Sequence, residues 1–257
     1  MKTCVWYMVF ALALFVNPVS ADRWVIDDNF FGGWSDPVYS KYVQNKGDVI
    51  SFNTEINNFD VDSMTVNIDD SGLVNISIQT DYTKGSRKTD YGDLFISTNG
   101  WKPYGDSPYL EDVYLNDVYN VGEVWEFAFD TDLNSIYKIG DVVIVTSNDY
   151  HGRRTYEYRN NQEVQINPNG ATPVSGVVSG YAANFFQGIG MLTYSFSLRD
   201  LGITMDEGYN LGFRWSMTCA NDIIEGGVSK AAVPEPATLM MLGMGLLGLS
   251  AAARKKR

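Results

Sequence analysis

Hydrophobic and polar residues alternate along many short segments in the middle of the chain. The clearest segment is 211–218, in which Leu211, Phe213, Trp215 and Met217 occupy every second position. Strict alternation places such side chains on one face of a strand, so the segment is predicted to be a half-buried β-strand.

Segments 74–79 and 192–198 alternate in the same way, and turn residues such as Asn99-Gly100 and Asn169-Gly170 separate the candidates. The interior of the chain shows no long amphipathic helical pattern. About ten short strands with turns between them predict an all-β domain, either a β-sandwich or a jelly roll. Weaker strand candidates are residues 49–52, 63–68, 93–97, 124–129, 141–146, 155–159 and 174–178.

The first 21 residues are typical of a secretory signal peptide. Lys2 supplies an early positive charge, and an uncharged, mostly apolar stretch covers residues 5–16. Val19-Ser20-Ala21 places small or tolerated residues where signal peptidase needs them. We therefore predict cleavage after Ala21 and a mature N-terminus at Asp22. A retained N-terminal anchor is disfavoured, because the apolar stretch is shorter than the ~20 residues of a membrane span.

The C-terminal end has three parts that together predict a membrane-anchored tail. A motif of two prolines around one glutamate precedes an uncharged stretch over residues 237–253, and a basic end follows. As a helix that stretch would be ~25 Å long, close to the thickness of the bilayer core. The four terminal cations should remain in the cytoplasm, which places the main body outside. The motif is Val233, Pro234, Glu235 and Pro236, and the basic end is Arg254, Lys255, Lys256 and Arg257.

The motif, the Leu- and Gly-rich apolar run and the basic end together resemble the PEP-CTERM sorting signal. The resemblance covers residues 233–257. It implies processing by an exosortase of a Gram-negative bacterium, cleavage at or near the motif, and an association with exopolysaccharide or biofilm. On the residues alone, an ordinary C-terminal anchor remains the alternative.

Four units follow: a signal peptide at 1–21, a β-sandwich domain at 22–225, a short linker at 226–232 and the sorting signal at 233–257. The body between the two ends is acidic. Of 19 Lys and Arg, five lie in the ends, and of 31 Asp and Glu only one does, so the body carries a net charge near −16. Such a charge repels nucleic acid. With Cys219 as its one cysteine, the body forms no intrachain disulfide.

Aromatic residues in loop-like sequence are candidates for sugar binding. Trp101, Tyr104 and Tyr109 lie beside Asp and Asn residues in a long loop-like segment. Exposed rings stack on sugars, although core packing is the commoner role of such rings. A secreted carbohydrate-active hydrolase is the alternative, with Glu123 and Glu126 flanking Trp125 as candidate acids. We expect no enzyme activity, since His151 is the only histidine and no nucleophile elbow is present.

Calcium is the cofactor that the acidic turns favour, because Ca²⁺ prefers several oxygen ligands. Asp130, Asp132 and Asn134 alternate like the start of a calcium loop, and Asp60 and Asp62 also lie beside predicted turns. The loop lacks the glycine at its sixth position and the glutamate at its twelfth, so solvated turns are the alternative. The sequence thus predicts an exported surface or matrix protein, with signal peptidase, exosortase and exopolysaccharide as partners, or else a calcium-stiffened structural or adhesive domain.

Overall fold

The described part of the chain is built from strands, turns and short 3₁₀ helices. No α-helix occurs within it, which confirms the all-β prediction for these residues. A computed structural model of the chain describes residues 21–28, 43–44, 49–50, 59–82, 89–101, 125–150, 162–174, 180–186 and 189–232. The predicted signal peptide, the membrane-spanning tail helix and the strand at 155–159 lie outside these ranges, apart from Ala21.

The described strands form two five-stranded antiparallel sheets and two small hairpins. The first sheet has the order β1-β4-β5-β12-β11 and the second the order β14-β13-β6-β7-β8, with hairpins β2-β3 and β9-β10. In chain order the strands are β1 Ala21–Asp27, β2 Val43–Gln44, β3 Val49–Ile50, β4 Val61–Asp69, β5 Leu73–Thr80, β6 Leu94–Ser97, β7 Phe127–Asp130, β8 Ser135–Lys138, β9 Val143–Thr146, β10 Glu163–Asn167, β11 Gly180–Phe186, β12 Ile189–Ser197, β13 Gly208–Ser216 and β14 Ile223–Ala231.

The two large sheets pack face to face over one hydrophobic core. In the first sheet the register aligns Val66, Ile76 and Tyr194 in a row across β4, β5 and β12. These side chains belong to the same buried cluster as Phe213 and Trp215 of the second sheet. β4, β5, β12 and β13 contribute every second side chain to this core, as the alternation predicted. The fold is therefore a β-sandwich.

The second sheet is buried on its outer face as well. Phe95, Ala128 and Tyr137 point away from the main core and pack with Ile166 of β10 in a second cluster. The outward side chain of Arg214 in β13 is only 2% exposed. The sequence predicted the strand at 211–218 to be half buried, and this was wrong because Gly100 and Trp101 lie over Gly212, and Gln162, just before β10, bonds to Arg214.

Gly92 and Asp93 join this covering layer to the sandwich. The Asp93 amide donates to the Val164 carbonyl at 2.8 Å. Its carboxylate accepts the Thr131 amide at Oδ1 and the Ile166 amide at Oδ2, both at 2.8 Å. A Cβ on Gly92 would lie 2.3 Å from the Ser216 carbonyl oxygen, so only glycine allows this approach.

The predicted linker at 226–232 is mostly folded, which corrects the predicted domain boundary. Residues 226–231 belong to β14 and pair with β13 along its full length. Two glycines gave this segment the composition of a linker, but both are needed because other residues lie too close for a side chain. A Cβ on Gly226 would lie 2.5 Å from Ile26 Cγ2, and one on Gly227 would lie 2.9 Å from Trp101 Cβ.

A search of the described ranges for a helix both long and apolar enough to cross a membrane finds none.

Because the carboxyl of Asp93 is buried, we expect the free energy of unfolding to fall as pH rises. Burial raises its pKa from 3.8 to about 8, against the backbone amides that lower it. Folding therefore favours the protonated form, so this contribution is fully present below pH 3.8 and is lost as pH rises through about 8. The slope is at most about 1.4 kcal/mol per pH unit.

Urea denaturation at pH 5 and pH 8 tests this expectation. The wild-type midpoint should be lower at pH 8, and the difference should shrink in Asp93→Asn, which cannot ionise. Asp81 and Asp130, whose pKa values burial also raises, leave a smaller dependence of the same sign. An equal pH dependence in both proteins would contradict the assignment to Asp93.

Candidate functional sites

The chain enters and leaves the described domain at one corner of the sandwich. Asp22, the predicted mature N-terminus, lies in β1, and Lys230 lies at the end of β14. Their side chains form an ion pair with 2.6 Å between Oδ2 and Nζ, and each remains about one-third exposed. The Tyr209 hydroxyl donates to the same Asp22 oxygen at 3.4 Å. The predicted signal peptide and the predicted sorting tail therefore connect to neighbouring strands.

Alternate residues of β1 close this edge of the sandwich. Trp24 meets the edge of Tyr209, with ring centroids 5.9 Å apart, and Ile26 packs directly on Gly226. Burial, followed by the Asp22 charge, raises the pKa of Tyr209, so its hydroxyl stays protonated and able to donate. β1 thus packs against β14, the strand that precedes the predicted sorting tail.

Trp101 is the candidate sugar-binding residue that the structure describes, since Tyr104 and Tyr109 lie outside the described ranges. Its backbone and Cβ lie over Gly212 and Gly227, which form a register pair on the outer face of the second sheet. Its indole N–H donates to Glu225 Oε2 at 3.1 Å. The side chain is 37% exposed. An anchored and partly exposed ring is compatible with stacking on a sugar.

A buried polar chain runs inward from Trp101. Glu225 Oε1 accepts from Arg214 at 2.5 Å, and Arg214 also donates to the Gln162 side-chain carbonyl. Both members of this ion pair are almost fully buried. The position of Trp101 is therefore linked through Glu225 to the interior of the covering layer.

Glu126, one candidate acid for a hydrolase, is engaged in a turn. Its carboxylate accepts the Thr98 amide at 2.8 Å and the Asn99 side-chain amide at 2.7 Å. These bonds fix the turn before Gly100, which is a structural use of the carboxylate. Glu123 lies outside the described residues, so the structure brings no second acid from that pair to Glu126.

Three carboxylates from distant parts of the sequence converge at another corner. Asp28 follows β1, Asp60 precedes β4 and Asp222 precedes β14, and one oxygen from each lies within 4.8 Å of the others. Two oxygens on opposite sides of one Ca²⁺ are roughly 4.6–5.2 Å apart, so the spacing suits a single ion. Asp222 is fully buried and accepts the Val61 amide at 2.7 Å and the Ile223 amide at 2.9 Å.

The field around this corner is negative. Burial, followed by the charges of Asp62 and Asp60, raises the pKa of the nearby Asp81. The sequence indicated Asp60 and Asp62 as turn acids, but it missed Asp28 and Asp222. No local spacing reveals these two, because the pairing of β1 with β4 brings Asp28 to Asp60, and the meeting of the two sheets brings Asp222.

The calcium candidates Asp130, Asp132 and Asn134 form the turn between β7 and β8. Asp130 Oδ1 accepts the Leu133 amide at 2.7 Å, and Asn134 has a positive φ of 55°. Asp132 and Asn134 are exposed. The first carboxylate is thus used to stabilise the turn, and metal binding by this set stays a prediction.

Comparison with known protein families finds one match, at the C-terminal end. Residues 232–257 match the family model of the PEP-CTERM protein-sorting motif. The chain carries a PEP-CTERM sorting signal. This confirms the resemblance drawn from residues 233–257, and the motif implies sorting by an exosortase to the cell surface. No curated protein and no solved structure matches the chain.

The PEP-CTERM match begins one residue after β14 ends at Ala231. The sorting signal is therefore separated from the folded domain by no long spacer. The corner formed by Asp22, Tyr209 and Lys230 is the part of the described domain from which the signal continues.

Calcium binding at Asp28, Asp60 and Asp222 is tested by thermal unfolding. Saturating calcium should raise the melting temperature of the protein, since a ligand at 100 times its Kd stabilises by about 2.7 kcal/mol. Asp60→Asn should remove most of the rise, because it replaces one of the three carboxylates. Asp60 is preferred over Asp222, whose carboxylate also holds backbone amides.

Asp132→Asn is the matched control, because it removes one exposed carboxylate from the turn between β7 and β8. A rise that survives Asp60→Asn and disappears in Asp132→Asn would transfer the site to that turn. If calcium leaves the wild-type melting temperature unchanged, neither set holds the ion.

Proposed function

We propose that the protein is a non-enzymatic component of the cell surface or extracellular matrix, delivered by exosortase processing and associated with exopolysaccharide. The observation that carries the proposal is the PEP-CTERM signal at 232–257, directly after the last strand of a rigid sandwich. The signal peptide and the membrane-anchored tail are part of the proposal.

The meeting of both ends at one corner supports this route. While the signal peptide and the tail are both in the membrane, Asp22 and Lys230 hold their attachment points together. A compact domain can then fold outside with one corner at the bilayer surface. Signal peptidase and exosortase would act on neighbouring positions of the same corner.

The Trp101 ring, held by its hydrogen bond to Glu225, supports contact with polysaccharide. The Glu126 carboxylate is already bonded to Thr98 and Asn99, which argues against a catalytic role in a hydrolase. A structural or adhesive domain stiffened by calcium is the second candidate, favoured by the convergence of Asp28, Asp60 and Asp222. Release of reducing sugar by the purified domain from exopolysaccharide of the producing strain would contradict the non-enzymatic role.

Deleting the exosortase of the producing bacterium tests the processing step. The protein from the deletion strain should retain its C-terminus through Arg257, whereas the wild-type strain should yield a shorter chain. Intact-mass measurement distinguishes the two. Replacing Pro234, Glu235 and Pro236 by alanine in the wild-type strain should reproduce the longer mass, and Ser229→Ala serves as the control. An unchanged C-terminal mass in the deletion strain would remove the processing claim.

Paired substitutions of Trp101 test its contact with sugar. Trp101→Ala removes both the ring and the hydrogen bond to Glu225, whereas Trp101→Phe keeps an aromatic face and loses only the hydrogen bond. Stacking on a ring contributes roughly 1 kcal/mol, or about fivefold in affinity. Binding to purified exopolysaccharide should therefore weaken in Trp101→Ala and persist in Trp101→Phe. Equal binding by Trp101→Ala and wild type would show that Trp101 makes no such contact.

A further inference from the structure

The outer face of the first sheet is an ordered array of small uncharged polar side chains. The middle row aligns Thr65, Ser77 and Thr193 across β4, β5 and β12. The flanking rows follow from the same registers, and we call all nine positions the hydroxyl–amide face. Its rows are Ser63, Gln79 and Met191; Thr65, Ser77 and Thr193; and Asn67, Asn75 and Ser195.

The positions on this face are regularly spaced. Neighbouring strands place side chains ~4.8 Å apart, and successive rows along a strand lie ~6.7 Å apart. Eight of its nine residues are polar, and the ninth, Met191, offers an exposed apolar side chain at one side. This spacing puts several hydrogen-bonding groups within the length of one or two sugar rings.

The absence of charge from the hydroxyl–amide face is unusual for this chain. Charged residues make up 19% of the whole sequence, which is strongly acidic. Solvated surfaces of small domains carry roughly 25–35% charged residues, yet these nine positions carry none. The charges lie at its borders, on Arg23 and Asp27 of β1 and on Asp62 and Asp69 of β4. If this face were only a solvated surface, its nine positions would have no reason to lack charged residues.

Charge and chemistry together identify the occupant. An anionic polymer would be repelled by the acidic chain and would find no cation in these rows. A cationic partner would find carboxylates only at the border, on Asp27 beside Ser63 and on Asp62, which already accepts from the Gln79 side chain at 3.0 Å. A second copy of the chain would bury little apolar area, which is a weak basis for a stable interface. An uncharged polymer with many hydroxyl groups satisfies every condition.

The side chains are already partly ordered for such a ligand. Ser195 donates to Asn75 Oδ1 at 2.6 Å, and Thr193 donates to the Ala182 carbonyl at 3.2 Å. A hydroxyl that donates within the protein keeps lone pairs to accept from a sugar hydroxyl. Short side chains on a rigid sheet also lose little entropy on binding.

We infer that the hydroxyl–amide face binds an extended, uncharged polysaccharide. The inference deepens the proposed association with exopolysaccharide and rests on it, but it uses a surface on the opposite side of the sandwich from Trp101. Each sugar contributes a weak contact, and repetition along the polymer adds the contacts together.

The test is native gel electrophoresis of residues 22–232 through gels that contain a neutral polymer, hydroxyethyl cellulose or dextran, or the anionic polymer alginate. The wild-type domain should be retarded by at least one neutral polymer and not by alginate. Ser77→Lys, at the centre of the face, should weaken binding at least about tenfold. The matched control is Val143→Lys, which adds the same charge at an exposed strand position of β9.

Ser77→Ala combined with Thr193→Ala removes two hydroxyl groups without adding bulk, and it should also weaken binding. This double variant provides the test if Ser77→Lys does not fold. Loss of retardation in Trp101→Ala but not in the face variants would overturn the inference while leaving the proposed function intact. No retardation of the wild-type domain by either neutral polymer would overturn it as well. If sedimentation shows a wild-type dimer that Ser77→Lys dissociates, the face is an interface between copies and the inference is wrong.

Discussion

The buried ion pair between Arg214 and Glu225 determines how the second sheet must be covered. Removing water from two charges is costly, and only close pairing with further hydrogen bonds compensates for it. Gln162 and the indole of Trp101 supply those bonds, from the covering layer and from the loop after β6. Loss of one charge would leave the other buried, at a cost of about 3–5 kcal/mol. The pair therefore ties the position of Trp101 to the integrity of the outer layer.

The same sheet depends on close backbone approaches that only glycine permits. Gly92 brings the chain between Ser216 and Val164, and Gly212 and Gly227 leave room for Trp101. Asp93 then uses both carboxylate oxygens to hold the amides of Thr131 and Ile166. The result is a third layer on one side of the sandwich, while the first sheet keeps its outer face uncovered by any described strand.

Sequence patterns identified the class of fold because its main determinant is local. Alternation in β4, β5, β12 and β13 places every second residue in the core, and it can be read without knowing the partners of each strand. The end of the domain was predicted wrongly, since Gly226 and Gly227 have the composition of a linker and only Ile26 and Trp101 show why they are needed. Burial on both faces of β13 was missed for a similar reason: Trp101, which covers Gly212, is more than 100 positions away in the sequence, and Gln162 is 52 positions from Arg214.

The candidate sites are of two kinds: one is formed by contiguous residues, and the others by residues distant in the sequence. The sorting signal is contiguous, so the sequence was enough to find it. The convergence of Asp28, Asp60 and Asp222 depends on β1, β4 and β14 meeting at one corner, and no spacing in the sequence encodes that. The hydroxyl–amide face also exists only through strand register, which aligns residues more than 100 positions apart.

The contrast between the two sheets bears on what the domain does. The outer face of the second sheet is covered by the buried polar chain and the β9-β10 hairpin. The residues just before the sorting signal are held in a paired strand. The first sheet exposes short polar side chains whose positions are fixed by the core beneath them. Because a rigid scaffold lowers the entropy lost on binding, the uncovered sheet is the surface on which weak, repeated contacts would be most effective.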